Sequence, residues 1–234
     1  MSNNYFDREI ALIGEEAFLR LQNASVLIFG VGGVGGYALE ALVRAGVGSI
    51  TVVDSDCVNA TNLNRQILAT VDSIGKKKVE VAKERALSIN PDVKISAIDT
   101  FYLPENADNI DFSGYDYIID AIDTVSAKIE IAKRANELSV PLISCMGTAN
   151  RKSSSGFSVC DLQKTSGCPL ARVMRRECKK RGIDRLKVVF SSDESEKVSV
   201  TDENGKSVPA SISYVPPIGG LLAAEEVIRH IAKI

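Results

Sequence analysis

Residues 25–66 read SVLIFGVGGVGGYALEALVRAGVGSITVVDSDCVNATNLNRQ, and this stretch carries the clearest fold pattern of the chain. The apolar run Ser25–Phe29 predicts a buried strand, and the turn Gly30–Gly35 (GVGGVG) leads into an Ala/Leu-rich helix. A second apolar strand covers Ser49–Val53 and ends in Asp54. A glycine turn between a strand and a helix, with an acidic residue roughly 20 positions further on, is the pattern that binds a nucleotide at a helix N-terminus.

The glycines of this turn predict contact with the nucleotide. Glycine lets the backbone turn tightly and approach a phosphate, whose charge the helix N–H groups and dipole stabilise. We expect Asp54 to bond the ribose hydroxyls, and Asp56 either to shape the loop or to assist at the nucleotide. A turn that only packs helix against strand is the alternative for the glycines. The candidate residues in the turn are Gly30, Gly32, Gly33 and Gly35.

A polar cluster follows the second strand. It contains Asn62, Arg65 and Gln66, and the run 75–78 (GKKK) adds lysines. A dehydrogenase needs no such cluster beyond its ribose acid, whereas a site that cleaves a triphosphate must neutralise charge at several phosphates. We therefore expect these three residues to face the triphosphate, Arg65 through its planar fork, and Lys78 to reach the phosphates as a point charge. Lys76 and Lys77 are expected to be exposed.

The rest of the first two thirds alternates between strand and helix patterns. Helices are predicted at 77–90 and 125–138, and strands at 93–98, 115–120 and 141–144. This alternation predicts an α/β fold: a Rossmann-like, doubly wound, mostly parallel sheet with helices on both faces. Ligands of such sheets lie outside the carboxyl ends of the strands, where Gly30, Asp54 and Asp123 fall. Asp123 is expected to bind Mg²⁺ through oxygen, and Asp120 to be a structural residue at a strand end.

The flanking segments give weaker patterns. Residues 7–22 predict one amphipathic helix, 150–156 a loop, 191–207 a mobile polar loop, 211–214 a strand and 219–233 a closing helix. We expect a single domain over residues 1–234, with a nucleotide-binding core at about 24–145 and a substrate-side region at about 146–234.

Composition limits the class of protein. The 234 residues are 45% hydrophobic and 25% charged, as in ordinary globular proteins. No apolar run is long enough to span a membrane, and the N-terminus lacks the regions of a secretory signal. The five cysteines form no CxxC pair, which favours a cytoplasmic location. We expect Cys57 and Cys145 to be buried and Cys168 to be the best candidate for a reactive thiolate.

The charge is unevenly distributed. The chain carries −2, yet 172–187 holds eight basic and two acidic residues, a net charge of +6. Taken alone, the run favours a solvated helix face, the commoner fate of such runs; a contact with the phosphates of a nucleic acid is the alternative. The candidate residues for that contact are Arg172, Arg175, Arg176, Lys179, Lys180 and Arg181.

The motifs together resemble the ThiF/MoeB/HesA superfamily of adenylating enzymes, which are similar to ubiquitin-activating enzymes. Further matching stretches are 5–8 (YFDR), 161–165 (DLQKT) and 211–229, so the resemblance covers most of the chain. Within the superfamily the chain is most similar to the bacterial tRNA threonylcarbamoyladenosine dehydratases (the TcdA or CsdL group). The resemblance implies ATP and Mg²⁺ as ligands. It also implies that Arg8 reaches into the partner's site, and hence a homodimer with composite sites.

Zinc is not expected. ThiF- and MoeB-like members commonly hold it with two CxxC pairs, and a structural site needs four Cys or His ligands at short spacing. Here Cys160, Cys168 and Cys178 are widely spaced, and His230 is the only histidine.

The activity implied by the resemblance is ATP-dependent dehydration, by cyclisation, of threonylcarbamoyladenosine in tRNA through an acyl-adenylate. Its catalytic residues would be Arg8, Arg65, Lys78 and Asp123. One alternative is adenylation of the C-terminus of a ubiquitin-like or sulfur-carrier protein, although a basic run would not help to bind such a substrate. Under this alternative, a sulfur-transfer or carrier protein is a candidate partner. A remote alternative, an NAD(P)-binding redox module, leaves residues 62–66 and Lys78 unexplained.

Overall fold

The structure, a computed structural model, describes residues 5–201, 205 and 207–234. Its helices are α1 (Asp7–Ile13), α2 (Glu15–Asn23), α3 (Gly35–Arg44), α4 (Lys78–Ile89), α5 (Val125–Leu138), α6 (Pro169–Lys180) and α7 (Val215–Ala232). Its strands are β1 (Ser25–Phe29), β2 (Ser49–Asp54), β3 (Lys94–Asp99), β4 (Tyr117–Asp120), β5 (Leu142–Cys145), β6 (Phe157–Asp161), β7 (Lys187–Ser191), β8 (Ser199–Thr201) and β9 (Ser207–Pro209). Short 3-10 turns cover Ala60–Asn62, Val71–Ser73, Pro104–Asn109 and Leu162–Lys164.

Seven of these strands form one sheet in the order β3-β2-β1-β4-β5-β7-β6. All neighbours are parallel except β6, which pairs antiparallel with β7 at the edge. The chain order reverses between β1 and β4, where a crevice opens at the carboxyl ends of the strands. The predicted α/β class with a mostly parallel sheet is confirmed.

Successive residues of the central strands serve two different cores. Val26 and Ile28 of β1 pack into the cluster that contains residues of α3, α4 and α7, whereas Leu27 and Phe29 pack on the opposite face with residues of α5. This alternation is the period of two that a pleated strand imposes on its side chains. A third cluster lies under α6 and includes Met146. The sheet is therefore covered on both faces, as its apolar strands require.

Every element predicted between residues 25 and 145 is present, with boundaries displaced by at most two residues. The single helix predicted at 7–22 is wrong, because Gly14 adopts φ 85° and separates α1 from α2. Positive φ is accessible to glycine at little cost, so the chain changes direction there.

The second half of the chain departs further from the sequence prediction. Strands β6 and β7 were not predicted, and the strand expected at 211–214 is wrong, since these residues form the turn that precedes α7. The polar segment 191–207 contains β8, which pairs with β9 as a two-stranded ribbon. Residues 202–204 and 206 of that segment lie outside the described residues, so its mobility stays a prediction. Among the described helices, none has the length and apolarity that spanning a membrane requires.

Candidate active site

The glycine turn lies at the carboxyl end of β1 and is sterically closed to larger residues. Gly30 has φ +83°, and a methyl group there would lie 2.8 Å from the carbonyl oxygen of Ala121. A methyl group at Gly35 would lie 1.8 Å from the carbonyl oxygen of Gly30. The turn is thus folded tightly on itself and against the end of β4, directly before the first turn of α3.

Asp54 joins this turn to the loop that follows β2. Its Oδ2 accepts a hydrogen bond from the N–H of Val31 at 2.9 Å, and its Oδ1 accepts one from the N–H of Asp56 at 2.9 Å. The carboxylate is only partly buried. It is therefore fixed beside the turn while keeping acceptor capacity for a ligand.

Arg65 lies directly against the glycine turn. Its Cγ would be 3.4 Å from a methyl group placed on Gly33, and the Pro216 side chain closes the other side at 3.2 Å. The guanidinium donates to Thr61 O and to Asn64 Oδ1, both at 2.9 Å. Partial burial lowers the pKa of Arg65, although an arginine stays charged at any physiological pH.

Gln66 and Asn62 are both buried but have different surroundings. Gln66 Nε2 would lie 3.6 Å from a methyl group on Gly32, and its buried Oε1 has no hydrogen-bond partner among the described residues. Asn62 instead accepts a hydrogen bond from the N–H of Asn59 at 3.1 Å and so closes its own turn. Gln66 thus has an unused acceptor beside the glycines, while the Asn62 oxygen is already engaged in the loop.

Lys78 enters from the first turn of α4. Its side chain is only 7% exposed, and its Nζ lies 2.7 Å from Oδ2 of Asp56. The N–H of Lys78 also donates to the carbonyl oxygen of Asp56 at 2.9 Å. The two preceding lysines, Lys76 and Lys77, are exposed as predicted, and Lys77 pairs with Asp99 at 3.0 Å.

Asp123 follows β4, next to the glycine turn. The N–H of Ala121 donates to the carbonyl oxygen of Phe29 at 2.8 Å, which ties this loop to the end of β1. Asp123 is exposed and makes no ion pair among the residues described, whereas Asp120 is fully buried and pairs with Lys128 at 2.9 Å. Of the two aspartates, only Asp123 presents a carboxylate to solvent at this edge.

Arg8 is not brought to this site within one chain. Phe6, just before α1, packs on Phe18 with a ring separation of 5.0 Å and lies near Gly46 in the turn that leads into β2. That turn is at the amino edge of the sheet, roughly 17 Å, one strand length, from the glycine turn. Arg8 is exposed and forms no ion pair among the described residues. It cannot contact the site of its own chain from this position.

The basic run maps onto α6 and the segment after it. Glu177 pairs with three of its cations, Arg176, Lys180 and Arg181, each at about 3 Å, and these contacts lower the pKa of Glu177 to about 2. Arg175 is directed back to Thr165. Only Arg172 and Lys179 among the six candidate residues make no contact of this kind within the described part of the chain. Because one glutamate offsets only one unit of charge, 172–187 keeps its net charge of +6, and Glu177 fixes the positions of three of its cations.

The cysteines are scattered. Burial raises the pKa of Cys145 to about 12 and that of Cys178 to about 11. Cys168 is also buried, which does not favour an accessible thiolate there, and Cys57 is exposed, contrary to the prediction. The described residues contain no group of three or more His, Cys, Asp and Glu side chains that could hold a metal ion.

Two features of the site were missed by sequence reasoning. Lys128 is fully buried beneath the loop of Asp123, although a lysine in a helix normally predicts a solvent-facing position. Pro216, at the start of α7, packs on Gly33 from a position far along the chain. The only available signal for Lys128 was its spacing of five residues after Asp123, which places it one turn into the following helix.

The fold and the site define a nucleotide-binding α/β protein in which a glycine turn, two cations and three carboxylates meet at one sheet edge. The chain belongs to the ThiF family, which matches residues 6–234. It is 38% identical over 240 residues to a tRNA threonylcarbamoyladenosine dehydratase of Bacillus subtilis (strain 168), with 97% of this chain and 94% of that protein covered.

Comparison with solved structures supports the same family assignment. The crystal structure of the E. coli tRNA N6-threonylcarbamoyladenosine dehydratase in complex with ATP superposes with a TM-score of 0.89 at 31% identity, covering 98% of this chain and 94% of that one. A sulfur carrier protein adenylyltransferase of Thermus thermophilus is 38% identical over 131 residues, but the match covers 56% of this chain and 48% of that protein.

Proposed function

We propose that this protein catalyses the ATP-dependent dehydration of threonylcarbamoyladenosine in tRNA through an acyl-adenylate. The observation that carries the proposal is that Asp54 and Arg65 lie against one glycine turn, while Lys78 and Asp123 follow β2 and β4 at the same edge of the sheet. The near full-length similarity to dehydratases supports the substrate, because it covers 94% or more of both chains, whereas the match to the carrier-protein enzyme covers 56% of this chain and 48% of that protein.

ATP would lie along the carboxyl edge of β1, β2 and β4. The glycine turn would hold the phosphates at the N-terminus of α3, where N–H groups and the helix dipole favour negative charge. Asp54 would accept hydrogen bonds from the ribose hydroxyls. Gln66, with its unpartnered Oε1, and Asp56 would border the nucleotide, and Asn62 would act by holding the loop that carries Arg65. We place the nucleotide-binding core at about 24–145 and the substrate side at about 146–234.

In the first step the carboxylate of the threonyl group attacks the α-phosphorus of ATP. A bond forms between carboxylate oxygen and phosphorus, and the bond from phosphorus to the bridging oxygen breaks to release pyrophosphate. Negative charge builds up on the phosphate oxygens as this happens. Arg65 offers two donors and Lys78 a point charge from a largely desolvated position, where such charges stabilise a transition state most strongly.

The residues fit a magnesium ion bound mainly through the substrate. Mg²⁺ commonly uses one or two carboxylates together with substrate phosphates. Asp123 supplies one exposed carboxylate, while Asp120 is already occupied by Lys128. When bound, the ion would add positive charge at the phosphates.

In the second step a neighbouring group of the same modification attacks the acyl carbon, closes a ring and expels AMP. The net change is the loss of one water. Because the nucleophile belongs to the substrate itself, proximity supplies much of the rate and no protein nucleophile is needed. Buried thiols with raised pKa values, such as Cys145, are consistent with this.

The active form would be a homodimer with shared sites. Arg8 lies at the amino edge of its own sheet and would reach the site of a second copy, as the family resemblance implies. Phosphates of the tRNA would meet the cations of α6 that no acidic side chain neutralises, Arg172 and Lys179 first.

The proposal is tested by incubating the protein with ATP, Mg²⁺ and tRNA that carries threonylcarbamoyladenosine, followed by mass spectrometry of the nucleosides. We expect the modified nucleoside to lose one water and one AMP to form per product. The Asp123→Ala variant and reactions without ATP are the controls. An unchanged nucleoside together with AMP transfer to a sulfur-carrier protein would instead establish the alternative. NAD should not raise the melting temperature, whereas ATP with Mg²⁺ should.

A further inference from the structure

A fully buried polar network lies directly beneath the loop that carries Asp123. The side chains of Lys128 and Asp120 are both 0% exposed, and Lys128 Nζ lies 2.9 Å from each carboxylate oxygen. The hydroxyl of Ser144 donates to Oδ2 of Asp120 at 2.5 Å. Asp120 and Ser144 face each other in the register of β4 and β5, so the two strand ends fix the carboxylate.

The same network holds the main chain of the loop. Nζ of Lys128 donates to the carbonyl oxygen of Ile122 at 3.1 Å. The N–H of Ile122 is directed at Oδ1 of Asp120 at 3.4 Å. Both polar groups of Ile122 are therefore engaged by one buried ion pair, and Ile122 is the residue immediately before Asp123.

Stability alone does not explain this arrangement. A buried ion pair must recover the large desolvation cost of both charges, and apolar residues of similar volume often stabilise a protein equally well. An ion pair can do what apolar residues cannot, because its donors and acceptors can form hydrogen bonds that fix a neighbouring stretch of main chain. Here the fixed residue adjoins the exposed carboxylate, while the network itself touches no solvent.

We propose that Lys128 is a positioning residue, which acts through Ile122 to hold the Asp123 carboxylate at the phosphate edge of the site. The inference rests on the role given to Asp123 in the proposed function. Lys128 is too deeply buried to contact a ligand, so its role is to hold the main chain of Ile122 in position. Displacing a reacting group or its ligand by about 1 Å can lower a rate by about 100-fold.

The matched variants are Lys128→Met/Asp120→Asn and Ser144→Ala. The first removes the donor to Ile122 O and neutralises the partner, so no uncompensated charge stays buried. The second weakens the same network but leaves the contact between Lys128 and Ile122 in place. Both are expected to lower the melting temperature. Only the first is expected to lower kcat, by about 30- to 100-fold, with KM for tRNA changed less than threefold.

A thermal-shift measurement separates this inference from the proposed function, because it needs no tRNA. The extra stabilisation that Mg²⁺ adds to ATP should be lost in Lys128→Met/Asp120→Asn and in Asp123→Ala, and kept in Ser144→Ala. If the wild-type protein shows this Mg²⁺-dependent rise in melting temperature but leaves tRNA unchanged, only the proposed function is contradicted. If the rise persists in Lys128→Met/Asp120→Asn, only the positioning role is contradicted.

Hydrogen exchange on the wild-type protein gives a test that no folding defect can obscure. The amide of Ile122 should exchange more slowly than that of Thr148, which follows the neighbouring strand without such a network. Equal exchange rates at the two positions, or equal loss of kcat in the Lys128 and Ser144 variants, would overturn the proposal.

Discussion

Nζ of Lys78 lies 2.7 Å from Oδ2 of Asp56, and the two side chains have opposite environments, being 7% and 64% exposed. The ammonium is removed from water and directed toward the site, while its partner remains accessible at the rim. Because the Asp56 end of the pair is solvated, the pair itself adds little stability. The pair instead fixes the position of the buried ammonium, so that it is ready to donate a hydrogen bond to a phosphate that enters the site.

Replacing Lys78 should therefore affect catalysis far more than folding. We expect Lys78→Met to lower kcat/KM for ATP by about 10²- to 10³-fold, the usual effect of losing one preorganised charge at a reacting centre. Pyrophosphate release in the presence of modified tRNA measures this. Lys76→Met, at an exposed neighbouring lysine, is the control and should stay within about twofold of wild type. Equal losses in both variants would show that only the net charge of the loop matters.

The glycine turn should not tolerate a single methyl group at its tightest position. In Gly35→Ala the new carbon would lie 1.8 Å from Gly30 O, so the turn must open. We expect a loss of about 1–3 kcal/mol in unfolding free energy, measured with denaturant, and loss of ATP-induced stabilisation. Gly114→Ala is the matched control, since a methyl group there meets no atom within 4 Å. Retained ATP stabilisation in Gly35→Ala would contradict the assigned phosphate site.

Asp123→Ala should abolish pyrophosphate release while leaving the fold intact. Asp123 is exposed and makes no ion pair among the residues described, so its removal costs little packing. Circular dichroism and the melting temperature should match wild type, and the rate should be measured across a range of Mg²⁺ concentrations. Turnover that equals wild type at limiting Mg²⁺ would exclude a metal-binding role for this carboxylate.

Arg8→Ala should be inactive alone and regain activity when mixed with Asp123→Ala. If Arg8 acts across the dimer, a mixed dimer contains one site with both wild-type residues. Subunit exchange is verified with differently tagged chains, and recovered activity should approach a quarter of wild type per chain after random exchange of equal amounts, because one site in four is then intact. No recovery after verified exchange would show that Arg8 does not complete the partner's site.

The cations of α6 should bind tRNA mainly through phosphates. Each phosphate neutralised releases counterions, so log affinity should fall with log salt by about 0.7 to 0.9 per contact. Arg172→Ala/Lys179→Ala should weaken this slope and raise KM for tRNA, with ATP affinity unchanged, because the site lies at the sheet edge among residues 30–123.

A charge-neutralising variant tests the same surface in the opposite direction. Glu177 pairs with Arg176, Lys180 and Arg181. Glu177→Gln should release these cations and strengthen tRNA binding at low salt. If tRNA affinity and salt slope are the same in both variants and in wild type, α6 is only a solvated face.

The core around the site could be predicted from the amino-acid pattern. In β1 and β4 the apolar residues form short continuous runs, and the glycine motif can be satisfied by few backbones, so the local pattern left little freedom over residues 25–145. The cluster of Arg65 and Gln66 was recognisable because a site that cleaves a triphosphate must neutralise charge at several phosphates. These patterns depend on residues that are close together in the sequence, so they can be recognised without knowledge of tertiary contacts.

The positions of charged residues that are far apart in the sequence depend on tertiary contacts. Lys128 reads as a surface lysine until Asp120 and Ser144 arrive from two strand ends and enclose it. Strand β7 is recognisable only once β5 and β6 pair with it on either side. Arg8 lies at the amino edge of the sheet because Phe6 packs on Phe18. Its expected role in a partner's site stays a prediction. Burial and pairing depend on which segments meet, and no local pattern encodes that.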